Sequence, residues 1–316
     1  MARGVTLLDA DEVAKSPADE RLRRLIDRQT PKLQRLLLAA LRGLSQGSVE
    51  ALTNALEAQD LQAAITAAVG ELDAIRGPLR DQLLEAITES ARVSTARFGM
   101  SFDLADPNAI RVAESLAANA VVGVELETKQ AIRDIIVRGF QEGIPPRAQA
   151  REIMRLVGLT GRDAQAVDNL WMRMMGDGVK ADLADARAMR YADRLLRRRA
   201  EMIARTEMIS ASTQGRRLGW QQAADAGLVD PASARIVWIV SNDDRLCPTC
   251  APMAGVTVGF YDPFTATERA TGDIPRGSGG ITPYTGSTEP LKAHVTTNGP
   301  PQHPRCRCDI GLVFAV

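Results

Sequence analysis

All four cysteines of this 316-residue chain, and one of its two histidines, fall into two short clusters. They are Asp244-Arg-Leu-Cys-Pro-Thr-Cys250 and His303-Pro-Arg-Cys-Arg-Cys308. A C-x-x-C turn brings two sulfurs to one point, as tetrahedral zinc sites require. Cys306 and Cys308, if extended, point to the same side of a strand, and His303 can reach back across the Pro304 turn. Cys247, Cys250, His303, Cys306 and Cys308 therefore offer five ligands where structural zinc takes four. The same spacing also suits a disulfide or plain buried thiols. Under any of these readings the segment from 251 to 302 is a long excursion pinned at its base.

A second set of residues with chemical potential lies on the helix that must precede this unit. Ala200, Ala204, Glu207, Ala211 and Gln214 share one helical stripe. Small residues there allow a close neighbour, which draws Glu207 toward an interior or a cleft. A carboxylate so placed needs a partner, and Arg205 and Arg245 are the candidates. As an enzyme, the chain would use Arg205 and Glu207, with His303, in an ADP-ribosyltransferase-like or hydrolytic site. No second glutamate and no glycine-rich phosphate loop accompanies them, so a structural ion pair is the preferred reading.

The elements that would hold these residues are mostly helices. Leu33, Leu37, Leu41 and Leu44 recur at helical spacing between Pro31 and Gly47, with Leu36 and Leu38 adding a second face. Ser48 is placed to cap the next helix, and a long amphipathic region then runs to Met100 with a break at Gly77-Pro78. Asp106-Pro107 opens a helix toward Val122. A separate helix over Glu127 to Phe140 puts Ile132, Ile135, Ile136 and Phe140 on one face. Shorter helices follow at 147–156 and 160–175, then a nearly unbroken one from Asp182 to Ala226. Arg235 to Val240 is a β-branched run and reads as a strand, with further short strands at 256–260 and 310–314. Between them glycine, proline and threonine dominate. The expected fold is mainly α: a multi-helix N-terminal body followed by a small α+β C-terminal unit, whose long Gly/Pro-rich loop is closed by the Cys/His cluster.

Lysine plus arginine equals aspartate plus glutamate at 39 each, so no global field attracts nucleic acid. Two local basic clusters remain, Arg21 to Arg35 on the first helix and Arg194 with Arg197 to Arg199. Either is a solvated face paired to nearby acids or a contact for DNA phosphates. No apolar run is long enough to cross a bilayer and the N-terminus lacks a signal-peptide core, so synthesis in a cytosol is expected. A zinc-ribbon-like nucleic-acid module is a third reading of the cysteines. The 55-residue interval between Cys250 and Cys306 is far longer than compact ribbons use.

The ordered set Ala204-Arg-Thr-Glu207, the strand at 236–240, Asp244-Arg-x-Cys-x-x-Cys250 and His303-Pro-x-Cys-x-Cys308 resembles the phage Mu F-like family. That family is also called SPP1-type head morphogenesis, or minor head (minor capsid), proteins. The resemblance covers roughly 125 to 312 and divides the chain into a variable helical region 1–124, a helical part 125–234 and an α+β unit 235–316. It implies a non-enzymatic virion protein at the portal vertex, made in the host bacterial cytoplasm and acting in capsid assembly and in DNA packaging or ejection. Implied partners are the portal protein and capsid or scaffolding proteins, with DNA touched through the basic clusters. The motif positions carried over are Arg205, Thr206, Glu207, Asp244, Arg245, Cys247, Cys250, His303, Cys306 and Cys308. No proven reaction comes with them.

Overall fold

Abundant alanine, leucine and arginine, with few aromatics, favour helices, and helices dominate the computed structural model. It describes residues 17–44, 48–69, 73–103, 106–240, 250–265, 274–276, 280–282, 296–304 and 306–314. The described helices are α1 (Pro17–Gly43), α2 (Val49–Glu57), α3 (Leu61–Ala68), α4 (Arg76–Ala96), α5 (Pro107–Glu142), α6 (Pro146–Leu156), α7 (Gly161–Gly176) and α8 (Ala181–Asp225). Local signals set their starts. The Ser48 hydroxyl accepts from the Glu50 and Ala51 amides, Asp60 caps α3, and Thr160 accepts from the Asp163 amide to open α7.

The region expected as two helices, to Val122 and from Glu127, is instead the single 36-residue α5. Gly123 lies in its middle without interrupting it, with open space where a side chain would project. Phe140 also departs from expectation: it is 40% exposed, whereas Ile132, Ile135 and Ile136 are buried. The long region before Met100 breaks twice, between α2 and α3 and again before α4, whose first turn contains Gly77-Pro78.

Two compact units partition the chain, one comprising 1–30, 82–114 and 205–316, the other 31–81 and 115–204. The second unit is all helix among its described residues. Leu33, Leu37, Leu41 and Leu44, the predicted stripe, are buried in its core, with Leu38 beside them. Its most deeply buried charge is Arg199, whose guanidinium donates to the Gly158 carbonyl at 2.5 Å, to Thr128 Oγ1 at 3.2 Å and to Glu127 Oε2 at 2.7 Å. Three elements are thereby tied to one side chain. Arg199→Met is expected to lower stability by about 3 kcal/mol, because the Gly158 carbonyl and Thr128 lose their donor inside the core. Denaturant midpoints would check this, and a midpoint within experimental error of wild type would count against it.

In the first unit, β1 (Ala234–Ile239) is the centre of a three-stranded antiparallel sheet, between β2 (Thr257–Gly259) and β7 (Asp309–Phe314). Two short antiparallel strand pairs accompany it: β3 (Phe264–Thr265) with β6 (Thr296–Thr297), and β4 (Ile274–Arg276) with β5 (Gly280–Thr282). The C-terminal half of α8 has the sheet unit on one side and α4 on the other. Toward α4, Gly215 and Gly219 lie so close that an added Cβ would fall 2.2 Å from the Ile87 carbonyl oxygen and 2.7 Å from that of Ala91. The buried Ser90 and Ser212 hydroxyls are hydrogen-bonded in the same seam at 3.2 Å. On the sheet side, Arg216 pairs with Asp309 at 2.6 Å and lies over the Trp220 ring.

Candidate metal centre

The β-branched run of β1 places Trp238 at the heart of the sheet unit, fully buried and edge-on to Phe264 at 5.2 Å. The Trp238 backbone anchors the segments that follow Cys250 and Cys308. Its amide donates to the Val256 carbonyl and its carbonyl accepts from the Gly255 amide, which fixes the turn after Cys250. Across the sheet Trp238 is in register with Ile310, two residues beyond Cys308. A 3-10 turn at Ala251–Met253 orients Cys250, with the Met253 amide donating to the Cys250 carbonyl. On the far cluster the Cys306 amide donates to the His303 carbonyl. Gly299, at φ +136°, leads into that cluster; a Cβ there would meet Thr213 at 2.7 Å and Ile310 at 3.2 Å, so only glycine fits.

These constraints bring Cys250 Sγ, His303 Nε2 and Cys306 Sγ within 4.8 Å of one another. Cys250 Sγ is 3.1 Å from His303 Nε2 and 3.8 Å from Cys306 Sγ. The latter separation is nearly twice a disulfide bond, and Cys250, Cys306 and Cys308 are all unbridged. Two thiolates at the zinc–sulfur distance of about 2.3 Å and the tetrahedral angle lie about 3.8 Å apart, so the observed edge fits that metal. His303 is oriented for the same task. Its Nδ1 lies 2.7 Å from the Pro304 carbonyl, and an N–H there leaves Nε2 as the lone-pair nitrogen facing the sulfurs.

The hydrogen bonds of Cys250 and Cys308 pull the Cys306 thiol well below the usual thiol range, as a metal-binding thiolate needs. Cys308 moves the other way: the Cys250 bond lowers it, but the neighbouring Cys306 sulfur and burial outweigh that. Cys308 is buried against the trio without belonging to it. Trp220, Trp238, Met253, Phe264, Ile310 and the three cysteines share one hydrophobic core, so the site is sunk into the packing of its unit.

Cys247, Asp244 and Arg245 lie outside the described residues, as does most of the 251–302 excursion beyond Thr265. Arg205, Thr206 and Glu207 lie on α8, half-buried. Arg205 and Glu207, two positions apart on a helix, do not face each other. Among the described residues Glu207 has neither an ion pair nor a hydrogen bond, so the expected pairing with Arg205 is not formed. Burial alone pushes its carboxyl up to about 7. The folded state therefore keeps a proton that the unfolded chain releases near 4.5. Stability from this group is complete below pH 4.5, falls as pH rises toward 7, and is lost above it. Glu207→Gln is expected to remove that slope and to stabilise the protein at pH 8 by about 2 kcal/mol, less than full burial would give because the side chain is part-exposed. Urea midpoints at pH 4.5 and pH 8 would read it, and parallel profiles for the two proteins would disprove it.

The second basic cluster is largely committed inside its own unit. Arg199 is buried, Arg198 pairs with Asp163 at 2.8 Å, Arg197 pairs with Asp193 at 2.9 Å, and Arg194 lies over Tyr191. Sequence reasoning missed the backbone clamp of Trp238 and the close seam at Gly215 and Gly219. The glycine spacing of four was the available sign of the seam.

The family model of the Phage Mu protein F like proteins matches residues 130–311, more than half of the chain. The chain belongs to that family, and is in that sense a phage head-related protein. No curated protein and no solved structure shows significant similarity to it. No described helix is long and apolar enough to cross a membrane.

Proposed function

We propose that this chain is a minor head protein of a phage or prophage, held at the portal vertex by protein contacts and serving capsid assembly and the packaging or ejection of DNA. Its role is structural rather than enzymatic. The observation that carries the reading is the family match over 130–311, which spans the Cys/His convergence from end to end. The portal protein and capsid or scaffolding proteins are its partners in this reading. Exposed arginines of α1 and α8 are the surfaces through which DNA phosphates would be touched. Heads purified from the encoding phage, analysed by quantitative mass spectrometry, should contain the chain at low copy number relative to the major capsid protein. Its absence from heads that contain portal protein would sink the proposal.

The metal belongs to the same proposal. Zinc would be held by Cys250, His303 and Cys306, with Cys308 or Cys247 as the fourth ligand. With every position filled by protein, no activated water is left, and the ion acts as a clasp between residues far apart in sequence. Among the described residues Glu207 has no partner, which favours this reading over the enzyme, since an acid–base site needs a second oriented group.

A further inference from the structure

Helix α5 is apolar on two sides. Its inner side, including Val121, Val124, Ala131, Ile132, Ile135 and Ile136, is buried in the core of the helical unit. Its outer side carries Val122, Leu126, Val137 and Phe140, exposed by 52%, 63%, 42% and 40%. With Lys129 and Arg133 these form one row at steps of four, three, four, four and three. At 1.5 Å per residue the row is about 27 Å long. A contiguous exposed apolar row of this length is what interaction surfaces present, and these four side chains remain accessible among the described residues.

Charge decides what can cover it. The row reads apolar, basic, apolar, with both cations at its centre. Lys129 has only a loose pair with Glu125, 3.6 Å away and part-exposed, and Arg133 has no ion pair among the described residues. A second copy packed on this row, parallel or antiparallel, would oppose lysine and arginine to their own kind near the middle. A nucleic acid would gain nothing from four aliphatic and aromatic side chains. A helix with apolar residues toward both ends and two carboxylates between them satisfies every position.

We propose that the outer row of α5 is the docking site for an acid-centred amphipathic helix of another protein. This goes beyond the head-protein reading and does not depend on it. The test uses the full chain and two labelled synthetic helical peptides of 21 residues. Each carries leucine at the four apolar positions of the row; one has glutamate at the two central positions, the other lysine. Fluorescence anisotropy should show the glutamate peptide binding at least about tenfold more tightly. The order should reverse for the double variant Lys129→Glu/Arg133→Glu. Leu126→Ser/Phe140→Ser should weaken glutamate-peptide binding by at least about tenfold with an unchanged circular dichroism spectrum, since both sites are exposed. Failure of both peptides to bind, or binding indifferent to the central charge, would overturn the proposal. So would self-association through the row in sedimentation velocity, or retention on phosphatidylserine vesicles through the same residues.

Discussion

Serine in place of Cys306 should leave the purified protein without zinc, whereas the wild-type chain should carry one ion. Mass-spectrometric metal analysis paired with thiol titration would measure this. In the wild type the thiols should react slowly until a chelator is added, then rapidly. Loss of a first-rank thiolate should cost about two orders of magnitude or more in affinity, and Cys250→Ser and His303→Ala should behave alike. The consequence for folding is local. Trp238, Phe264 and Ile310 supply an apolar core of their own, so chelation should loosen the sheet unit while the helices keep their circular dichroism. Cys308→Ser and Cys247→Ser distinguish the fourth ligand, because only one of them should match the loss seen for Cys306→Ser. Four rapidly reacting thiols with no bound metal in the wild type would end the zinc proposal.

The largest loss of stability from a single methyl group is expected at Gly215. An alanine Cβ there would stand 2.2 Å from the Ile87 carbonyl oxygen, and backbone cannot move aside as a flexible side chain can. Helices α4 and α8 would have to part, breaking the Ser90–Ser212 hydrogen bond. Alanine's better helix propensity returns about 1 kcal/mol, against an overpacking cost of about 3 kcal/mol or more. A net loss of at least about 2 kcal/mol should appear as a lower urea midpoint, and leucine should abolish soluble expression. Gly123→Ala is the counterpart. It also lies inside a helix, but with nothing within 4 Å of the new methyl, so it should stabilise by about 0.5–1 kcal/mol. Equal responses at the two sites would refute the steric account.

The contrast between those glycines marks what was legible in the sequence. The Leu33 to Leu44 stripe and the β-branched strand at 234–239 were readable because burial imposes a period on apolar residues. The Cys/His clusters were readable because few uses other than a metal or a crosslink gather such residues. The continuity of α5 was hidden, since a glycine inside a helix costs little when tertiary packing supports the flanking turns. Which small residues on α8 would meet a neighbour was hidden as well. Alanines and glycines mark where close approach is allowed, and only the position of α4 decides that Gly215 and Gly219 take it. The Arg205–Glu207 pairing failed for a simpler reason: two residues apart on a helix, they point to different sides.

The register of the sheet also sets a schedule for making the protein. In the β1–β7 ladder even the nearest partners, Ile239 and Asp309, are 70 positions apart. At roughly 5–20 residues per second a ribosome needs about 4–14 s to synthesise the stretch between them. For that interval β1, with Ile236, Val237 and Trp238, has left the decoding centre with one edge open and no second Cys/His cluster to close over it. The nascent chain is therefore most exposed to aggregation and to chaperone capture in those seconds. Slowing elongation between the two Cys clusters should reduce soluble yield, whereas slowing it within the helical region before residue 230 should not.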